Sequence, residues 1–303
     1  MRGDFSTDFK KLAKQRIVSI GDLHGDYKAT IKILITCNVI PSSSSNIPSK
    51  YKTIKWIGGS TYLVQLGDIL DGKSRSYNNN KFIDNEFHIF LLLLSLKTQA
   101  QKKGGNILFI FGNHELMNIL GDYRYVSNTA LKSNGGINKR DTFFKTGSLF
   151  CNKMSNHYYG IIKIRNMVFV HGNIHKKIAD EFDLSKINII LKKYLLNKLT
   201  SVEQRQFNKI YNDSNIGICW SREYSLDKLS TSKCNELDNI LKKFKADHII
   251  VGHTVQENGI NLQCDNKKII KIDVGLSGAF DSLNRQALEI IYTGNTYKIK
   301  ILK

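Results

Sequence analysis

In the segment Thr61-Tyr62-Leu63-Val64-Gln65-Leu66-Gly67-Asp68-Ile69-Leu70-Asp71, a strand-like run is followed by two aspartates. Its first half is rich in branched and aromatic residues, which predicts a buried strand, and the glycine marks a turn directly after it. The same arrangement occurs where Arg16-Ile17-Val18-Ser19-Ile20 precedes Gly21-Asp22-Leu23-His24-Gly25. Polar residues that follow strands of an open α/β sheet lie at its carboxyl edge, so we expect both segments to contribute to one site.

Three later motifs also follow apolar runs: Gly112-Asn113-His114-Glu115, His171-Gly172 and Gly252-His253-Thr254. Helical spacing of apolar residues predicts helices at 86–101 and within 176–211, and strands are predicted at 269–274, 287–292 and 297–302. This succession of strands and helices predicts an α/β (α+β layered) fold. We find no internal repeat or linker, so residues 1–303 are predicted to form a single domain.

The motif residues form the ligand set of a site for two divalent metal ions. Ions roughly 3.5–4 Å apart need a carboxylate that bridges both, and Asp68 is the candidate bridge. The other candidates are Asp22 and His24 for one metal, and Asn113, His171 and His253 for the second. Oxygen and imidazole ligands without thiolate favour manganese, which we expect, or iron or zinc. A hydroxide shared by the metals would attack phosphorus in line.

Three further residues have predicted roles in catalysis. His114 follows the ligand Asn113 and is the candidate general acid for the leaving-group oxygen. Asp71 is the carboxylate expected to orient the imidazole and keep it protonated. Arg222 is the candidate for gripping the phosphate, because its guanidinium group can bond two oxygens at once. Glu115 is expected to contact the start of a helix and not a metal.

The chain carries a formal net charge of +19, which would attract nucleic acid, anionic lipid or phosphorylated targets. The basic residues are spread along the sequence, however, and the abundance of Lys, Asn and Ile is typical of AT-rich genomes. We favour this compositional explanation and leave a nucleic acid or nucleotide partner open. A content of 41% hydrophobic residues argues against a disordered protein.

Charged residues interrupt the chain before Ile17, so we expect no signal peptide. The most apolar run, Phe87–Leu96, is far shorter than the roughly 20 residues that span a bilayer. We therefore predict a cytoplasmic protein without a membrane partner. The cysteines are odd in number and widely spaced, and we interpret them as reduced thiols, some of them buried as small hydrophobes.

Taken together, the motifs resemble those of the calcineurin-like metallophosphoesterases, and within them the phosphoprotein phosphatase branch, whose pattern is GDxHG, GDxxDRG, GNHE, HGG and GHT. The segments Trp56-Ile57-Gly58-Gly59, Gly121-Asp122-Tyr123-Arg124-Tyr125-Val126 and Ile272-Asp273-Val274-Gly275-Leu276-Ser277 are similar to the Shewanella-like protein phosphatases. The resemblance covers about residues 16–292. It implies a metallophosphoesterase fold with a central β-sandwich of two mixed sheets flanked by helices, two metals, and hydrolysis of phosphate monoesters on Ser/Thr or Tyr residues of proteins.

The sequence departs from the family pattern at two places. Asp71-Gly72-Lys73 replaces Asp-Arg-Gly, so an arginine that would bind phosphate is missing, and Lys73 or Arg75 is the candidate substitute. Asn173 replaces the second glycine of HGG.

We expect a metal-dependent protein phosphatase that acts on a phosphoprotein or phosphopeptide. The alternative is a nucleotide pyrophosphatase or RNA-cap hydrolase of the diadenosine-tetraphosphatase-like kind, whose members also lose the second-motif arginine and whose polyanionic substrate would suit the positive charge. A non-catalytic binding module is a third hypothesis. Residues 173–219, between His171 and Arg222, are predicted to form a helical lid that selects the substrate.

Overall fold

The computed structural model describes residues 14–75, 84–280 and 285–303. Its strands, in chain order, are β1 (Lys14–Ile20), β2 (Tyr62–Gln65), β3 (Asn106–Ile110), β4 (Tyr158–Tyr159), β5 (Ile161–Ile164), β6 (Met167–Val170), β7 (His248–Val251), β8 (Asn261–Gln263), β9 (Ile269–Lys271), β10 (Ala287–Thr293) and β11 (Thr296–Leu302). They form a six-stranded sheet in the order β11-β10-β1-β2-β3-β4 and a five-stranded sheet in the order β5-β6-β7-β9-β8.

Both sheets are mixed. Strands β1 to β4 are parallel, and the antiparallel strands β10 and β11 extend that sheet at one edge. In the second sheet β6, β7 and β9 are parallel, whereas β5 and β8 are antiparallel edge strands. The central strands β2, β6 and β7 are buried along their whole length, as expected for strands covered on both faces. The predicted fold of two mixed sheets flanked by helices is confirmed.

The helices are α1 (Tyr27–Thr36), α2 (Glu86–Gln101), α3 (Asn113–Ile119), α4 (Asn128–Ser133), α5 (Ile137–Phe144), α6 (Leu149–Met154), α7 (Lys176–Glu181), α8 (Leu184–Leu195), α9 (Ser201–Phe207) and α10 (Thr231–Lys243), with short 3₁₀ segments at Pro48–Thr53 and Asp265–Lys267 and a π-helical segment at Asn208–Asn212. Helix α2 has the predicted bounds. The predicted helical region 176–211 is divided among α7, α8 and α9, and Thr200 and Glu203 form the capping box expected at the start of α9.

Helix α8 packs on the body of the fold. Ile187, Leu191 and Leu195 are buried in the same hydrophobic core as both sheets. The side chain of Asn188 accepts hydrogen bonds from the backbone N–H groups of Gly160 and Ile161, at the start of β5, at 2.8 and 3.2 Å. This helix therefore contributes to the core, and the role of residues 173–219 as a lid stays a prediction.

The structure differs from the sequence-based expectations in three places. The strand predicted at 269–274 ends at Lys271. The N–H of Ile272 still donates to the carbonyl of Val251, but the carbonyl of Asp273 accepts the N–H of Gln256, in a loop, instead of a strand partner. Helices α3 to α6 and α10 were not predicted. The expectation that all cysteines are reduced thiols is wrong for one pair: Cys234 on α10 and Cys264 before the Asp265–Lys267 turn form a disulfide, since tertiary packing brings together residues 30 positions apart. The remaining cysteines are free and buried.

Candidate active site

The parallel strands bring the motifs of the first sheet to one edge. Ile20 pairs with Gln65, and Gln65 with Phe109, so the segments after β1, β2 and β3 leave the sheet side by side. The first two motifs are joined directly, because the backbone N–H groups of Leu23 and His24 both donate to the carbonyl of Asp68, at 2.9 and 3.0 Å. The register of the sheet therefore places the first three motifs next to one another.

The second sheet supplies the two late motifs. Val170 pairs with Val251, and one residue farther along, the N–H of Gly252 donates to the carbonyl of His171 at 2.8 Å. The backbone N–H of His253 then donates to the Asp22 carboxylate at 3.2 Å, which connects the two sheets across the site. All five motifs predicted to converge are thus brought together.

Asp68 lies at the centre of the cluster. Its Oδ2 is 3.3 Å from Nε2 of His171 and 3.9 Å from Nε2 of both His24 and His114. Two groups of buried side chains have ligand atoms within 4.8 Å of one another: His24, Asp68 and His114 in one, and Asp68, His171 and His253 in the other. Asp68 belongs to both groups, as a carboxylate that bridges two metal ions must.

Backbone carbonyls fix the orientation of the three candidate imidazole ligands. Nδ1 of His24 donates to the carbonyl of Leu70 at 3.0 Å, and Nδ1 of His171 donates to the carbonyl of Leu66 at 2.6 Å. In His253 the nitrogen that contacts a carbonyl is Nε2, which lies 3.1 Å from the carbonyl oxygen of Trp220. Each ring is thus held through one nitrogen and keeps the other for the site, which is the usual arrangement of metal-binding histidines.

The surroundings of His171 fit a cation. Its Nε2 lies 2.9 Å from Oδ1 of Asn113 and 3.3 Å from Oδ2 of Asp68. Burial lowers the pKa of His171, but the Asp68 carboxylate outweighs this effect and raises it overall, so positive charge is favoured among these three atoms, as a proton or as a metal ion. The residues present therefore fit a divalent metal at this position.

The buried acids give a second reason to expect metal ions. Burial, followed by the neighbouring charges of Asp273 and Asp68, raises the pKa of Asp22 well above its ordinary value. Burial and Asp68 raise the pKa of Glu115 to about 7, and burial raises that of Asp273 to about 6. Divalent cations would compensate this concentration of buried negative charge. Asp22 lies outside both close groups of ligand atoms, and its assignment as a ligand stays a prediction.

Burial lowers the pKa values of His24 and His253 well below their ordinary range. The charges of Arg75 and His114 add to the effect at His24, and those of His171 and Arg222 add to it at His253. Both imidazoles are therefore neutral at neutral pH, which is the form that binds a metal.

The backbone is strained where the site is formed. His24, Asp68, Asp71 and His253 have φ angles of 39°, 54°, 70° and 66°, in the left-handed region that such residues rarely adopt. Strain of this kind persists where surrounding contacts enforce it, and it concentrates at functional sites. The turn after β2 also requires a glycine: Gly67 has a φ of 92°, and a Cβ atom there would lie 2.7 Å from Nδ1 of His171.

His114 and Asp71 are placed as predicted for a general acid and its orienting carboxylate. Nδ1 of His114 is 2.7 Å from Oδ2 of Asp71, and both side chains are buried. This contact makes Nε2 the nitrogen that faces the candidate metal ligands, which is the side from which a general acid would reach a bound substrate. Its catalytic role stays a prediction, because His114 also lies close enough to Asp68 to act as a ligand.

Arg75 enters the site, whereas Lys73 does not. Nη2 of Arg75 lies 3.3 Å from Nε2 of His114 and 3.4 Å from Nδ1 of His24, and its guanidinium group contacts the rings of Tyr125 and Phe280. The Lys73 ammonium instead donates to the carbonyl of Arg124 at 3.1 Å. Of the two candidates for the missing arginine, Arg75 therefore has the geometry to reach a phosphate bound beside His114.

Arg222 is exposed and lies two residues after Trp220, whose carbonyl oxygen contacts the His253 ring. The residue that replaces the second glycine, Asn173, is buried and donates through Nδ2 to the carbonyl of Ser221 at 3.2 Å. This substitution thus ties the His171 turn to the segment that carries Arg222. Phosphate binding by Arg222 stays a prediction.

Sequence reasoning missed three buried groups around Asp71: Glu86 on α2, Asn118 on α3 and Arg140 on α5. Asn118 Nδ2 donates to Asp71 Oδ1 at 2.8 Å, and Arg140 contacts both Asn118 and Glu86. Asn118 follows the third motif by only a few residues, so helical spacing could have suggested it. For Arg140 the sequence contains no comparable signal.

Of the helices in the described parts of the chain, none is long and apolar enough to cross a membrane.

Comparison with known proteins places the chain among phosphoesterases. The family profile described as "Calcineurin-like phosphoesterase" matches residues 15–257. The chain is 29% identical to "Shewanella-like protein phosphatase 2" of Arabidopsis thaliana, over 94% of this chain and 76% of that protein. It is 27% identical to "Shewanella-like protein phosphatase 1" of Plasmodium berghei, over 86% and 67% of the two chains. A solved structure described as a cold-active protein tyrosine phosphatase superposes with a TM-score of 0.72 at 25% identity, covering 94% of this chain and 78% of that one.

Proposed function

Because the chain belongs to the calcineurin-like phosphoesterase family, we propose that it is a metal-dependent phosphatase that hydrolyses phosphate monoesters on Ser/Thr or Tyr residues of proteins. The single observation that carries this proposal is the pair His114–Asp71 beside a cluster of histidines centred on Asp68, because it combines an acid for the leaving group with a metal site. The names of the similar proteins, which describe protein phosphatases, support the choice of substrate.

Two divalent ions would be held by Asp68 as the bridge, with Asp22 and His24 on one side and Asn113, His171 and His253 on the other. When bound, such ions supply Lewis acidity toward the phosphoryl oxygens and an activated water as nucleophile. The oxygen and nitrogen donors favour manganese, with iron or zinc as alternatives.

The protein's own groups would handle the leaving group and the phosphate. Hydrolysis forms a phosphorus–oxygen bond to water and breaks the bond to the side-chain oxygen, which keeps the electron pair. His114 would donate its Nε2 proton to that oxygen, while Asp71 holds the ring through Nδ1. Arg75 would bind phosphoryl oxygens as a planar donor in place of the missing motif arginine, and Arg222 would do so from the exposed side.

The comparisons give no support to a nucleotide pyrophosphatase or RNA-cap hydrolase, since the named relatives are protein phosphatases. A cytoplasmic location stays a prediction, and the positive charge leaves a nucleic acid or nucleotide partner open.

Initial rates measured with manganese on a phosphothreonine peptide, a phosphotyrosine peptide and diadenosine tetraphosphate test the proposal. We expect turnover of at least one peptide, an inert dinucleotide, and loss of activity in Asp68→Asn. Hydrolysis of the dinucleotide with both peptides inert would refute the assignment to protein substrates. Activity that survives in Asp68→Asn would refute the metal site.

A further inference from the structure

Arg140 is the largest fully buried side chain of the described residues, and it lies behind the catalytic pair. Its Nε donates to Oδ1 of Asn118 at 2.7 Å, and its Nη1 donates to Oε1 of Glu86 at 2.5 Å. The remaining nitrogen, Nη2, has no hydrogen-bond partner and lies 3.6 Å from Oδ1 of Asp71. One edge of a buried cation is therefore directed at the carboxylate that holds His114.

The partners of Arg140 also fix Asp71 themselves. Asn118 Nδ2 donates to Oδ1 of Asp71 and to the carbonyl of His114, both at 2.8 Å. Oε2 of Glu86 accepts the backbone N–H of Asp71 at 3.2 Å. Asp71 itself has a left-handed backbone, with a φ of 70°, which needs such support. The groups on α2, α3 and α5 thus converge on one residue.

A simple structural ion pair between Arg140 and Glu86 explains less than this geometry. Burying an arginine costs several kcal/mol, and a well-packed apolar pair would hold α5 against α2 about as well. An apolar pair would not, however, orient the Asn118 amide or place positive charge beside Asp71. The contacts made by Nε and the direction of Nη2 are what distinguish this arrangement from a generic core ion pair.

We infer that Arg140 is a positioning residue for leaving-group protonation: acting through Asn118 and Asp71, it holds the His114 imidazole where Nε2 can deliver its proton. This inference rests on the proposed function. In the step concerned, the phosphorus–oxygen bond to the leaving group breaks, the electron pair stays on that oxygen, and the proton of His114 neutralises it. The water consumed in the reaction restores the proton to the imidazole.

Leaving groups that differ in their need for a proton test the inference. A threonine alkoxide or a tyrosine phenolate needs protonation as it departs, whereas 2,4-dinitrophenolate is stable as an anion. For Arg140→Met we expect kcat to fall about 10- to 100-fold on the phosphothreonine or phosphotyrosine peptide that the wild type hydrolyses, a part of the usual worth of a general acid, and by less than about 3-fold on 2,4-dinitrophenyl phosphate. Arg140→Lys, which keeps the charge, should restore part of the loss. Arg205→Met, which removes an exposed arginine on α9, is the matched control.

A double-mutant cycle locates the effect. In a His114→Ala background, Arg140→Met should cause no further loss on the peptide, because residues that act through one another are not additive. Losses that multiply would overturn the inference, and so would equal losses of Arg140→Met on both substrates. If Arg140→Met fails to fold, because Glu86 is left as an uncompensated buried charge, Arg140→Met with Glu86→Gln removes both charges. Failure of that variant to fold would make the role of Arg140 structural and would also overturn the inference.

Different results would refute the proposed function and the positioning role of Arg140. Wild-type enzyme that is inert on both esters with manganese would refute the proposed function. Active wild-type enzyme in which Arg140→Met shows no selective loss on the peptide would refute only the positioning role.

Discussion

Glu115→Ala tests how the second and third motifs are held together. The Glu115 carboxylate accepts the backbone N–H of Asp68 at 2.9 Å, of Ile69 at 2.9 Å and of Gly112 at 3.0 Å. It is fully buried, so no water can replace it without rearrangement. The carboxylate therefore fixes the strained turn that presents Asp68 relative to the turn that presents Asn113.

The expected loss follows from these three contacts. A buried donor left without a partner costs about 1–3 kcal/mol, so three of them would cost up to about 9 kcal/mol. Loss of the carboxylate also relieves the burial and the repulsion by Asp68 that raise its pKa to about 7, which returns about 3 kcal/mol at neutral pH, so we expect a net loss of about 2–6 kcal/mol. That amount is a large part of the free energy of unfolding of an ordinary domain, about 5–15 kcal/mol. Glu115→Gln keeps the shape and one acceptor oxygen, and we expect it to cost about half as much. Because Asp68 loses its fixed position, manganese affinity should also fall about 10- to 100-fold in both variants.

Urea denaturation without metal measures the first effect, and titration of manganese into the folded protein measures the second. Glu181→Ala, at an exposed acid on α7, is the matched control and should change neither quantity. A Glu115→Ala protein within about 1 kcal/mol of wild type would show that the three N–H groups do not depend on this carboxylate for their hydrogen bonds. Wild-type manganese affinity in a destabilised Glu115→Ala would show that Asp68 is positioned by other contacts.

Three other changes have outcomes fixed by the geometry. His114→Ala should slow phosphopeptide turnover by about two to four orders of magnitude with metal content unchanged, and loss of the metals together with the imidazole would make His114 a ligand instead. Arg75→Met should weaken inhibition by vanadate and raise KM for a phosphopeptide, because its guanidinium group reaches His114, and unchanged inhibition would refute this role. Burial lowers the pKa of Lys97 to about 8 from 10.5, so between these values the unfolded chain binds more protons than the folded one. Wild type should therefore gain about 2 kcal/mol of stability relative to Lys97→Met as the pH rises from about 8 to about 10, and a constant difference in urea denaturation would contradict the burial argument.

The sequence predicts which side chains converge at the site because each of the motifs lies directly after a strand. The apolar run at 61–66 and the aspartate at 68 are local features, and the register of parallel strands then determines which turns become neighbours. The prediction that Glu115 contacts a helix start is also confirmed, since it accepts the N–H of Gly112 immediately before α3.

The support behind Asp71 could not be predicted in the same way. Arg140 lies on a short helix of mixed polarity, and only the packing of α5 against α3 and α2 brings it to Asn118 and Glu86. The disulfide between Cys234 and Cys264 has the same origin, because no spacing rule relates a helix residue to a distant turn. The sequence also could not decide whether Lys73 or Arg75 replaces the missing arginine. The Arg75 side chain is directed into the site by contacts with the rings of Tyr125 and Phe280, which belong to distant segments.

Phosphopeptide turnover, measured as a function of bound manganese, tests whether the cluster around Asp68 is a two-metal phosphatase site. We predict that chelator-treated protein is inactive and that activity returns as the ions bound approach two per chain, with no recovery in Asp68→Asn. Turnover that persists in metal-free protein, or that is complete without Asp68, would contradict the account.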